Sequence, residues 1–112
     1  MKIITRKISF EDLKKVAEER FGDLVKAVVD VELEIMALGG ELHADEEALL
    51  LQNGSQQKNL WGINLYPANS GEDFVEFDSM INIRPGQGNR SRSVEDESLR
   101  HKIVEIVKNL VE

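Results

Sequence analysis

From Val25 to Ile35 every odd position is apolar (Val25, Ala27, Val29, Val31, Leu33, Ile35), while Lys26, Asp30, Glu32 and Glu34 occupy the other face. A period of two places alternate side chains on opposite sides of an extended chain, so the run reads as a half-buried strand that needs a second layer to cover its apolar face. The phase breaks at Met36 and Leu38, which predicts a bulge or tight turn near residues 32–34 and then a second strand running into Gly39-Gly40.

The covering layer is visible on either side. Ser9 stands as an N-cap before Glu11 and Asp12, whose charges suit the positive end of a helix. Ile8 and Leu13 occupy the positions of a hydrophobic staple, Leu13, Val16, Ala17 and Phe21 recur at helical spacing, and Gly22 is placed to end the helix in the left-handed conformation. A second amphipathic helix begins near Ser93, carries Glu95, Asp96 and Glu97 in its first turn and repeats apolar residues at Leu99, Ile103, Ile106, Val107 and Leu110. Residues 45–52 suit a short helix capped by Asp45 and closed by Gly54, or a strand entering an Asn53-Gly54 hairpin; the polar run 55–59 favours the helix. Residues 60–66 and 74–84 read as strands joined by turn chemistry at Pro67, Asn69, Ser70 and Gly71, and are expected to pair as an antiparallel hairpin. The expectation is one α+β domain over residues 1–112: an antiparallel meander of about four strands with an N-terminal and a C-terminal helix on one face.

A net charge of -7 opposes general binding to nucleic acid. With no cysteine, the chain has no disulfide scaffold, thiolate metal site or thiol nucleophile. The first residues lack the apolar stretch of a secretory signal and no segment reaches the length of a membrane span, so the expectation is a cytoplasmic protein without membrane association.

Three stretches carry a wider likeness: Leu38-Gly39-Gly40-Glu41-Leu42-His43-Ala44-Asp45-Glu46, Leu60-Trp61-Gly62-Ile63-Asn64-Leu65-Tyr66-Pro67, and Ile81-Asn82-Ile83-Arg84-Pro85 with Gln87-Gly88-Asn89-Arg90-Ser91. Together they resemble a family of small prokaryotic proteins catalogued only as a domain of unknown function. The resemblance implies no substrate, cofactor or catalytic residue.

Residues 84–93 hold Arg84, Arg90 and Arg92 with no acid, in an otherwise acidic chain, directly before a helix start. Arginine forks, the backbone donors freed by Gly86 and Gly88, and a helix N-terminus can converge on an anion, with Arg84, Asn89, Arg90 and Arg92 as candidates and Arg84 and Arg90 as the principal grip. The competing view is that these arginines pair with nearby acids and the glycines shape a turn.

A second cluster is Glu41, His43, Asp45 and Glu46, of which positions 41, 43 and 45 share one face if the segment is extended, and His43 with Asp45 offers a metal donor set, though without the paired histidines of zinc signatures. Glu76, Asp78, Asn82 and Arg84 alternate along one expected strand face, with Asn64 opposite, so Asp78 and Asn82 join the candidates if another element covers them. Trp61 is expected in the core or at a dimer contact, and His101 is expected to be exposed.

No cofactor motif is present, and catalysis is neither implied nor excluded. Two readings stay open: a module that binds a small anionic ligand through the loop, with His43 and Asp45 assisting, or a non-catalytic homodimer that uses the loop to contact an acidic partner. The first requires the segments around 41–46 and 84–92 to meet.

Overall fold

The computed structural model describes residues 1–112. In it the alternating run folds back on itself as a hairpin of β2 (Val25–Asp30) and β3 (Ile35–Leu38). Asp30 builds the connecting turn without glycine or proline. Its buried Oδ1 accepts from the Glu32 and Leu33 amides, both at 2.9 Å, Oδ2 accepts from the Ser55 hydroxyl at 2.6 Å, and Glu34 adopts a left-handed φ of 57°. The turn expected near 32–34 therefore lies where the phase breaks.

The sheet has five antiparallel strands in the order β1-β3-β2-β4-β5, adding β1 (Lys2–Ile4), β4 (Leu60–Leu65) and β5 (Val75–Glu76). β1 exceeds the expected number of about four, because three residues are too few to show an alternation. β2 lies between β3 and β4, so the chain crosses from β3 to β4 through α2 (His43–Gln52) instead of continuing as a meander.

The odd residues of the first run face the main core, as expected: Val25, Ala27 and Val29, with Met36, Trp61, Ile63 and Leu65, pack against α1 (Phe10–Arg20) and α3 (Glu97–Leu110). The two helices that bracket the chain thus share one face. The other face carries Val28, Ala37 and Leu60 beneath Leu50 of α2, so this sheet is covered on both sides. Trp61 is buried and His101 exposed.

Helix starts follow their caps. Ser9 Oγ accepts from the Asp12 amide at 3.1 Å, and Gly22 takes its left-handed φ of 91° past the end of α1. α3 starts later than expected, after Asp96, whose Oδ1 accepts from Ser98 and Leu99; Glu95 is instead bound to the amides of Arg90 and Ser91. α2 starts earlier, after Leu42, with no side-chain cap, so Asp45 sits in its first turn and is not the N-cap.

The largest departure is at residues 74–84, where only Val75–Glu76 is a strand. Beyond Glu76 the chain leaves the sheet, and the edge of β4 from Leu60 to Gly62 is closed by side chains. Asn82 Oδ1 accepts from the Gly62 amide at 2.8 Å, and Asn82 Nδ2 donates to the Gly62 carbonyl at 2.9 Å and to the Arg92 carbonyl at 3.0 Å. A carboxamide carries the same donor and acceptor as a peptide unit, so Asn82 substitutes for a strand residue. Arg84 donates to the carbonyls of Leu60 and Gln57, with its guanidinium carbon 4.0 Å from the centre of the Trp61 ring. Gly62 permits the close approach: a Cβ there would stand 2.5 Å from Ser79 Cβ.

Asn82→Ala strips a buried amide and two carbonyls of this partner. The expected loss is on the order of 3 kcal/mol, read as a lower denaturation midpoint at unchanged m-value; a loss below about 0.5 kcal/mol would show that water closes the edge equally well.

Candidate functional site

The face of the sheet that α2 covers ends in a polar row. Lys26 on β2 is the direct cross-strand partner of Asn64 on β4, which is in turn the partner of Glu76 on β5. With strands about 4.8 Å apart, the outer two Cα atoms are separated by about 10 Å. α2 covers the sheet farther along and leaves its own N-terminus over this row. The start of α2 at Leu42 to Ala44, Phe21 and Leu24, and the segment from Asp78 to Ile81 wall a cleft of about 500 Å³.

His43 enters from the first residue of α2 and is only 8% exposed. Its Nε2 lies 2.8 Å from the Ile63 carbonyl, which can only accept, so Nε2 holds the proton and Nδ1 keeps a lone pair. Burial holds its pKa below 6.5, with Lys26 acting in the same direction against the Ile63 carbonyl, Asp78 and Asn64; the ring is neutral at pH 7.

Asn64 Nδ2 donates to Glu76 Oε1 at 2.9 Å and to the Asp78 carbonyl at 3.3 Å, yet its Oδ1 has no donor although the residue is only 7% exposed. Tyr66 donates its hydroxyl to the same Glu76 oxygen at 3.0 Å, and burial, reinforced by that carboxylate, raises the Tyr66 pKa. Arg92 Nε and Asp78 Oδ1 form an ion pair of 2.7 Å. Lys26 has no carboxylate within 4.0 Å, and its Nζ lies 5.4 Å from the centre of the Phe21 ring.

The cleft thus unites His43 and Asp78 of one candidate cluster with Arg92 of the loop. Of residues 84–92, Arg92 alone lines this cleft with His43. Glu41 and Asp45 are exposed and line a separate shallow surface with Met1 and Arg20, and no three His, Asp or Glu side chains converge to hold a metal. The helical start at residue 43 removes the extended geometry in which 41, 43 and 45 share a face.

Other candidates turn inward. Asn82 and Arg84 close β4, burial lowers the Arg84 pKa, and the expected common strand face of Glu76, Asp78, Asn82 and Arg84 does not form. Asn89 is buried and binds its own loop, donating to the carbonyls of Asn82, Ser91 and Ser93 while accepting from the Glu95 amide. Arg90 is exposed; its backbone amide and that of Ser91 hold the Glu95 carboxyl below its ordinary pKa. Lys26 was legible only as the polar phase of a strand, and its contribution depends on α2 stopping short.

Behind α2, Glu46 is fully buried. Its Oε2 accepts from the Gly40 amide at 2.9 Å while Oε1 has no partner, and a Cβ at residue 40 would stand 2.9 Å from Glu46 Cγ. Burial pushes its pKa from 4.5 up to about 8, against the opposing Gly40 hydrogen bond.

Compared with known proteins, residues 2–110 match the model of a family described as "Protein of unknown function (DUF5674)". No curated protein and no solved structure matches the chain.

The Glu46 shift predicts a pH dependence. Between pH 4.5 and about 8 the folded chain holds a proton that the unfolded chain has released, so stability falls as pH rises through that window and levels off above it. The contribution is on the order of a few kcal/mol, and Glu46→Gln, which keeps an oxygen for Gly40, is expected to flatten the profile measured by denaturation at each pH. An unchanged slope in the variant would assign the pH dependence to other groups.

Proposed function

The chain belongs to the DUF5674 family, whose function is unknown, and we propose that it binds a small anionic ligand in the cleft beneath the start of α2. The observation that carries this reading is the unpaired Lys26 ammonium on the same cleft as a helix N-terminus without a side-chain cap. The first-turn amides and the helix dipole favour negative charge there, and Arg92 supplies a further fork at the opposite wall.

The anion then rests on Lys26 and the start of α2, while Arg92, paired with Asp78, lines the opposite wall on a loop held by Arg84 and Asn89, and Arg90 is exposed outside the cleft lining. His43 Nδ1, neutral and on the cleft wall, is a ready acceptor for a ligand hydrogen. Asp45 is not required.

A second reading, association with another copy or an acidic partner, draws on the exposed side chains of Leu42 and Met80, 55% and 66% accessible, at the mouth of the same cleft. Light scattering at two concentrations separates it: a dimer that dissociates in Met80→Ser supports association.

For the ligand reading, amide NMR titrations with inorganic phosphate and simple carboxylates are expected to shift Lys26, His43, Ala44 and Asn64. Lys26→Ala should weaken the best binder by about ten- to a hundredfold, the worth of one charged hydrogen bond, while Arg90→Ala leaves it within about twofold. Equal loss in both variants would indicate a diffuse surface effect and remove the cleft from the reading.

A further inference from the structure

We propose that the ligand is zwitterionic, an amino acid whose carboxylate meets Lys26 and the start of α2 and whose ammonium meets Glu76 and Asn64. The inference rests on the ligand-binding reading above and specifies it. Its basis is that the groups left unsatisfied along one row have opposite character at its two ends.

At the β2 end lie donors without partners: the Lys26 ammonium, with no carboxylate within 4.0 Å, and the amides of His43 and Ala44 at the start of α2. At the β4 and β5 end lie acceptors. Asn64 Oδ1 is buried without a donor, and its orientation is fixed because its amide nitrogen already donates to Glu76 Oε1 and to the Asp78 carbonyl; a flipped amide would set oxygen against oxygen. Glu76 receives both of its hydrogen bonds, from Asn64 and Tyr66, on Oε1, leaving Oε2 for a ligand.

Lys26 and Glu76 do not neutralise each other. Asn64 stands between them in the strand register, and the Lys26 ammonium lies over the Phe21 ring instead. Asp78 and Arg92 cancel each other at 2.7 Å, so they add no net charge to the cleft. A simple anion satisfies only the donor end and leaves the Glu76 carboxylate facing it. A molecule carrying both charges satisfies both ends, and His43 Nδ1 can take a further ligand hydrogen.

The test is an amide NMR titration of the full chain with glycine, alanine, β-alanine, γ-aminobutyrate and glutamine, each beside the carboxylate that lacks its amino group, and with inorganic phosphate. The expected result is a saturable shift of Lys26, Asn64 and Glu76 by at least one amino acid, with the matched carboxylate binding about tenfold or more weaker. Glu76→Gln keeps an oxygen for Asn64 and Tyr66 but loses the charge, and it should weaken the amino acid about tenfold while the carboxylate binds no more weakly than before. A carboxylate or phosphate that binds as well as any amino acid overturns the zwitterion and leaves anion binding standing. Silence from every probe up to about 10 mM, a dissociation free energy below about 3 kcal/mol, overturns both.

Discussion

A sheet edge leaves a row of backbone donors and acceptors unpaired, and a short last strand makes the problem acute because it covers only part of its neighbour. β5 pairs with β4 at Asn64 and Leu65 alone. The remaining edge at Gly62 is closed by the Asn82 carboxamide, which binds both backbone groups of that residue, and Arg84 reaches the Leu60 carbonyl beyond it. These bonds do more than seal an edge. Asn82 also binds the Arg92 carbonyl, and the Ser79 amide donates to that same carbonyl oxygen at 3.0 Å, so the irregular stretch between β5 and α3 is tied to the sheet at a fixed height.

The cleft follows from this arrangement. Because the chain leaves the sheet after Glu76 and returns through Asn82, Asp78 and Arg92 stand beside Asn64, facing the start of α2. The loop that first suggests an anion grip is thus mostly scaffold: Arg84 and Asn89 spend their donors on carbonyls, and Arg92 alone among its candidates faces the cleft together with His43.

Much of the frame was legible because it rests on local chemistry. Ser9 caps α1, Gly22 ends it, the alternation of Val25, Ala27 and Val29 marks the buried face of β2, and the broken phase marks the Asp30 turn. What escaped depends on contacts distant in sequence. β1 is three residues held by register with β3, and residues 77–84 keep a strand-like pattern whose Asn82 and Arg84 are bound elsewhere. The extra cover from α2 shows only in Val28 and Ala37, two apolar residues too sparse to announce a second buried face. Lys26 and Asn64 look like ordinary wet positions until α2 and the returning loop wall them in.

The claim that side chains close the β4 edge is tested most directly by amide hydrogen exchange at Gly62. If the Asn82 carboxamide is its partner, the Gly62 amide exchanges only when the whole domain unfolds, with an opening free energy equal to the global stability, as for the central amides of β2. Exchange through local opening at a rate typical of a frayed edge, while the β2 amides stay protected, would contradict the account and leave the position of Arg92 and Asp78 beside His43 without its physical cause.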